Sequence, residues 1–164
     1  MKKQLTEPHA RDFMQANVVT IRSDMDLNEA ARVLLNKGVS NAPVVKEEDG
    51  KSKLVGFLSE RDCLQFLSNE IYYNIPAKSV ATMMKIHPVC VKPDTDIFTL
   101  ASVFLQHGFR HLPVCEDGYL CGIVSRRDVL RSLMEVCNES ETLQELQKNR
   151  PDMSKLVNHR FIVI

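Results

Sequence analysis

Tryptophan is absent from the 164-residue chain, aromatic residues make up 6% of it, and glycine occurs six times. The six glycines form no P-loop and no G-x-S-x-G nucleophile turn. An excess of one charge sign is lacking as well, since Lys+Arg and Asp+Glu both number 21. That balance predicts no nucleic acid and no membrane surface as partner, because both want a basic excess. No apolar run approaches a transmembrane span, and the opening MKKQLTEPHARDF has no apolar core for a signal peptide. The five cysteines, Cys63, Cys90, Cys115, Cys121 and Cys137, contain no CxxC pair. They read as reduced thiols of a cytoplasmic protein rather than a disulfide or metal framework. A chain of this size can bury about 70% of its unfolded surface, so a core without disulfides is expected, either one domain or two small units sharing it.

What is present is a repeat. Residues 14–45 shifted by 70 lie on 84–115, with identities at Met14/Met84, Val19/Val89, Asp24/Asp94, Asp26/Asp96, Gly38/Gly108, Pro43/Pro113 and Val44/Val114 among others. Residues 54–67 shifted by 66 lie on 120–133, matching Gly56, Ser59, Arg61, Asp62 and Leu64 to Gly122, Ser125, Arg127, Asp128 and Leu130. The two shifts give 17 identities, where chance gives about 3. The offset changes at a polar, glycine-containing turn, where a hairpin tolerates length variation.

Each copy reads alike. A β-branched run, VVTI (18–21) or VCV (89–91), precedes an Asp-rich entry and an apolar helical pattern. Asp26 and Asp96 sit where N-caps belong, and Gly38 and Gly108 where a helix C′ glycine belongs. APVV and LPVC then lead a hairpin, and GFLSERD (56–62) or GIVSRRD (122–128) starts a last helix. The expected unit is β-α-β-β-α, twice, in an α+β fold. Five segments follow: 1–12 as an N-terminal segment, 13–67 as repeat one, 68–82 as a linker, 83–134 as repeat two and 135–164 as a helical tail. The tail carries a capping-box pattern at Thr142–Glu145, then Pro151 and an apolar end, FIVI.

Ser-x-x-Asp before an apolar helix has two readings. In one, Ser59 and Ser125 cap the helix and Asp62 and Asp128 complement its positive end. In the other, the carboxylate takes hydrogen bonds from a ribose diol, the helix start and the adjacent arginine attract phosphate, and the glycine lets a ligand approach the backbone. The two are compatible. His107 and His111 are four apart, but Gly108 between them breaks the helical face a metal pair would need.

The chain resembles the paired cystathionine β-synthase (CBS) domains. The resemblance rests on G-h-x-x-x-P-V at Gly38–Val44 and Gly108–Val114 and on G-h-h-S-x-R-D ending each copy. It implies two repeats packed with pseudo-twofold symmetry, adenine nucleotides in the clefts between them, and dimers. It places the ribose-binding residues at Asp62, Asp128, Ser59 and Ser125, with Arg61 and Arg127 beside them. Adenine would meet Val18, Val19 and Ala42 in copy one, and Val89, Cys90 and Leu112 in copy two. Phosphate would meet Arg110 and His111, which copy one replaces with Ser40 and Asn41. The expectation is therefore a cytoplasmic, homodimeric, non-catalytic sensor of AMP, ADP or ATP with no required cofactor, its stronger site in copy two. The output would pass through an unidentified effector protein. The alternative is a dimerisation adaptor with vestigial sites. S-adenosylmethionine and NADH share the same grips, so the residues do not single out one ligand.

Overall fold

The structure, a computed structural model, describes residues 7–74, 76 and 78–138. The predicted tail features at 142–164 lie outside the described residues. The elements in chain order are α1 (Ala10–Phe13), β1 (Ile21–Arg22), α2 (Leu27–Lys37), β2 (Asn41–Glu48), β3 (Lys51–Ser59) and α3 (Glu60–Tyr73). They continue with α4 (Val80–Met83), α5 (Ile97–His107), β4 (His111–Glu116), β5 (Tyr119–Ser125) and α6 (Arg126–Asn138). The fold is α+β. Part of the expected linker is ordered helix, since α3 runs on to Tyr73 and α4 begins at Val80.

Among the described residues the chain divides into two compact units. A first-repeat unit holds 17–88 with the turn 117–120, and a second-repeat unit holds 7–16, 89–116 and 121–138. The short segment ahead of each sequence repeat thus belongs to the unit of the other copy. Ala10 is fully buried in the second unit's core with Val91, Leu100, Val114 and Val124. Val80 is fully buried in the first unit's core with Ile21, Leu27, Val44 and Leu58.

The repeat's glycines explain this arrangement. A Cβ on Gly122 would come within 2.7 Å of the Met14 sulfur and 3.0 Å of the Gln15 carbonyl. A Cβ on Gly56 would overlap the Met84 thioether and lie 3.0 Å from the Lys85 carbonyl. So the glycine that opens each signature gives room to a methionine-bearing segment of the same unit, where the sequence suggested room for a ligand.

In the first unit β1 runs parallel to β2 (Ile21↔Val44), and β2 is antiparallel to β3, with a break in register between Val44 and Val45. Helix α2 is capped as expected. Asp26 accepts from the Asn28 N–H at 2.8 Å, and Gly38 closes the helix in the left-handed region at φ 64°. In the second unit Asp96 accepts from the Thr99 N–H at 2.8 Å, and Gly108 has the same φ. The hairpin turns are Asp49–Gly50 and Asp117–Gly118, with positive φ at both residues of each pair, the pattern that matches strand twist.

The first strands are shorter than the sequence suggests. Val18 and Val19 are irregular, and VCV contributes one parallel bridge, Val91↔Val114. Proline is the cause. Val91 N–H donates to the Pro113 carbonyl at 3.0 Å, and Cys115 N–H donates to the Val91 carbonyl at 2.8 Å. The next rung needs an N–H from Pro113 to the Val89 carbonyl, and proline has none. Pro43 ends the ladder before Val19 in the same way. Both valine carbonyls are left outside the sheet ladder.

Candidate functional site

Each signature serine and aspartate closes a reciprocal cap. Asp62 Oδ2 accepts from the Ser59 N–H at 2.9 Å and from its hydroxyl at 2.6 Å, while Asp62 N–H donates to Ser59 Oγ at 3.3 Å. Asp128 Oδ2 accepts from the Ser125 N–H at 2.8 Å and its hydroxyl at 2.6 Å, and Asp128 N–H donates to Ser125 Oγ at 3.2 Å. Aspartate is shorter than the usual Glu or Gln, so the serine hydroxyl bridges as well as the amide.

This cap leaves the other oxygen turned outward. Asp62 Oδ1 faces Lys85 Nζ at 3.9 Å, and Asp128 Oδ1 faces the Arg131 guanidinium at 3.7 Å. The Asp62 and Asp128 side chains are 13% and 7% exposed, so each carboxylate is largely enclosed.

The mid-repeat segment is tied to the helix start. Glu60 N–H donates to the Ser40 carbonyl at 2.9 Å, and Arg126 N–H donates to the Arg110 carbonyl at 3.2 Å. First-turn amides that the sequence offered to an anion are thus spent internally, at Glu60, Asp62, Arg126 and Asp128. The second unit has Arg110, Arg126 and Arg127, all exposed. Arg110 carries the partly buried His111 next to it. Burial holds the His111 imidazole below its ordinary pKa of 6.5; Asp128 opposes this, while Arg110 and Arg126 add to it. Burial thus disfavours the imidazolium form of His111.

The predicted adenine-lining residues divide into two kinds. Val18, Val19 and Val89 are partly exposed. Ala42 and Cys90 are fully buried and Leu112 is 1% exposed, so their side chains serve the core and only their backbone can meet a ligand. Arg61, expected near phosphate, is among the residues lining a cavity of about 450 Å³ between α2 and α3, with Leu34, Leu35, Cys63, Leu64 and Leu67. Sequence reasoning did not single out Lys85, which stands 3.9 Å from Asp62 Oδ1. Its only signal was position, one residue after the matched Met84, where the other copy has Gln15.

The repeat, its two caps and the two cores define one class of protein. The chain belongs to the CBS domain family, whose model matches residues 10–69 and 77–135. It is 30% identical over 129 residues to MJ1225 of Methanocaldococcus jannaschii, a match covering 79% of this chain and 44% of that one. The plastid protein CBSX2 of Arabidopsis thaliana is 28% identical over 158 residues, covering 79% of this chain and 65% of its own. The crystal structure of CBSX2 in complex with AMP matches with a TM-score of 0.68 at 30% identity, over 79% of this chain and 98% of that one. The chain thus spans under half the length of MJ1225 and about two thirds of CBSX2. No helix among the described residues is long and apolar enough to cross a membrane.

Proposed function

We propose that the chain is a non-catalytic regulatory module that binds an adenosine-containing ligand, AMP, ADP or ATP, and passes that state to an effector protein as a homodimer. The observation that carries this reading is the outward Asp Oδ1 in each unit, held by a serine cap and standing beside a cation. A ribose diol supplies donors for that oxygen. The Val19 and Val89 carbonyls, outside the ladder because of Pro43 and Pro113, suit the amino group of adenine. Guanine puts a carbonyl where adenine has that amino group and would leave such an acceptor unpaired. The relative solved with AMP, at 30% identity, supports the ligand class.

The homodimer rests on apolar residues exposed at matching positions of both copies. Leu35 and Leu64 of the first unit are 69% and 70% exposed, and Leu105 and Leu130 of the second are 86% and 59% exposed. Leucines left in water on two helices of each unit mark an association surface.

A thermal-shift panel of AMP, ADP, ATP, S-adenosylmethionine, NADH and GMP tests the reading, because a ligand that binds the native state raises the melting temperature by mass action. A rise with at least one adenine nucleotide and none with GMP is expected. The adaptor reading is favoured by the occupied Oδ2 atoms and the exposed leucines. It predicts a dimer whose melting temperature no ligand in the panel changes.

A further inference from the structure

We propose that Lys85 is the residue that makes the Asp62 site select a phosphorylated adenosyl ligand over an uncharged nucleoside. The proposal rests on the reading of Asp62 as a ribose-binding carboxylate. Lys85 is fixed at its backbone and exposed at its tip. Phe57 N–H donates to the Lys85 carbonyl at 3.0 Å, and Lys85 N–H donates to the Phe57 carbonyl at 2.9 Å. That closed pair anchors the residue on β3, two positions before Ser59. The side chain is 71% exposed, and its ammonium stands 3.9 Å from the one outward oxygen of Asp62. An ion pair this long, with its ammonium in water, is weak, so a diol that takes Oδ1 displaces the ammonium at little cost. The released ammonium then lies within a side-chain swing of any anion carried on the same ribose.

The second unit places its charge by another route. Gln15 occupies the equivalent anchor there, with its N–H donating to the Ile123 carbonyl at 2.9 Å and the Ile123 N–H returning a bond at 3.0 Å. That unit has a neutral residue on the anchor and Arg110 and His111 on the mid-repeat segment. The first unit has Ser40 and Asn41 on that segment and a lysine on the anchor. Of these two places the first unit is basic at the anchor and the second at the mid-repeat segment, where Arg131 also faces Asp128 at 3.7 Å. A compact, mobile ammonium suits an anion whose distance from the ribose varies, whereas a guanidinium fork asks for a fixed geometry.

Met84 adjoins Lys85 and packs at Gly56, while Met14 packs at Gly122, so methyl-labelled methionine reports the two sites separately. AMP and adenosine are titrated into the full chain and into Lys85→Gln and Lys85→Arg, following the Met84 and Met14 methyl resonances. For Lys85→Gln the Met84 isotherm should show AMP weakened about tenfold, as loss of one exposed charge-assisted contact implies, with adenosine unchanged. Lys85→Arg should retain most AMP affinity, and the Met14 isotherms should not move. Unchanged AMP affinity at Met84 in Lys85→Gln, or an equal loss for adenosine, overturns the role of Lys85 alone. Wild-type protein in which neither compound shifts Met84 overturns it together with the ribose reading of Asp62. Melting curves of the variants should match wild type, since the side chain is exposed.

Discussion

Ser59 and Asp62 hold each other through three hydrogen bonds, and all of them use one carboxylate oxygen or the serine hydroxyl. The helix cap and the outward-facing oxygen are therefore the same device. Asp128 is held by Ser125 in the same way to within 0.1 Å. A carboxylate fixed on one side and open on the other is preorganised for a donor pair, and the helix gains its cap whether or not a ligand is bound.

Removing either serine should cost stability in both units alike. Ser59→Ala and Ser125→Ala each lose an N-cap and leave the Asp Oδ2 with a single backbone donor. A loss of about 1 kcal/mol is expected for each. Urea unfolding monitored by circular dichroism measures it.

Gly56→Ala and Gly122→Ala should destabilise by about 1–3 kcal/mol through overpacking. The methionine can move aside, but the Lys85 and Gln15 carbonyls, 3.0 Å from the added carbon, are fixed by the Phe57 and Ile123 bridges. Truncation in Gly56→Ala/Met84→Ala should therefore recover only part of the loss. A double-mutant cycle on melting temperatures reads the remainder.

Acidification acts through His111, whose folded pKa lies below 6.5 because of burial. The unfolded chain then binds the proton more readily than the folded one. Stability should be at its full value above about pH 7 and fall as pH drops through 6.5. His111→Gln should flatten that limb of the curve. In the same terms, AMP affinity should be flat between pH 7 and 8 and should rise below about 6.5, where the imidazolium can meet phosphate. Proton NMR of the imidazole together with calorimetry across this range checks both.

Charge on the exposed helical leucines should disrupt the proposed homodimer. Leu64→Glu and Leu130→Glu replace side chains that are 70% and 59% exposed in the single chain, so neither should disturb the core. Light scattering at micromolar concentration should give a dimer for wild type and a monomer for the double variant.

The repeat was legible in the sequence because it rests on cap and turn chemistry that acts locally. Asp26, Asp96, Gly38 and Gly108 perform the roles their residue types suggest. What was not legible is non-local. The opening glycines answer to Met84 and Met14, which are distant in the chain, and no spacing rule ties them together. The strands of VVTI and VCV shrank because Pro43 and Pro113 lack the N–H that the next rung requires, an effect visible only once the register is known. Lys85 has no motif around it and becomes meaningful only at 3.9 Å from Asp62. The burial of Ala42, Cys90 and Leu112 likewise follows from the packing of each unit and not from the pattern of letters.

The most direct test of the account is calorimetric titration of AMP into wild type, Asp128→Asn and Asp62→Asn. Asparagine can keep an oxygen toward the serine cap while turning a donor amide toward the diol, so the fold is preserved and the acceptor lost. The account predicts AMP binding to wild type, with roughly 3 kcal/mol lost in Asp128→Asn if two diol bonds to the carboxylate are formed. That is roughly a hundredfold weaker binding. A smaller change is expected for Asp62→Asn, whose unit lacks the Arg110 and His111 pair. Equal losses in the two variants, a larger loss in Asp62→Asn, or wild-type protein that binds GMP as well as AMP would contradict it.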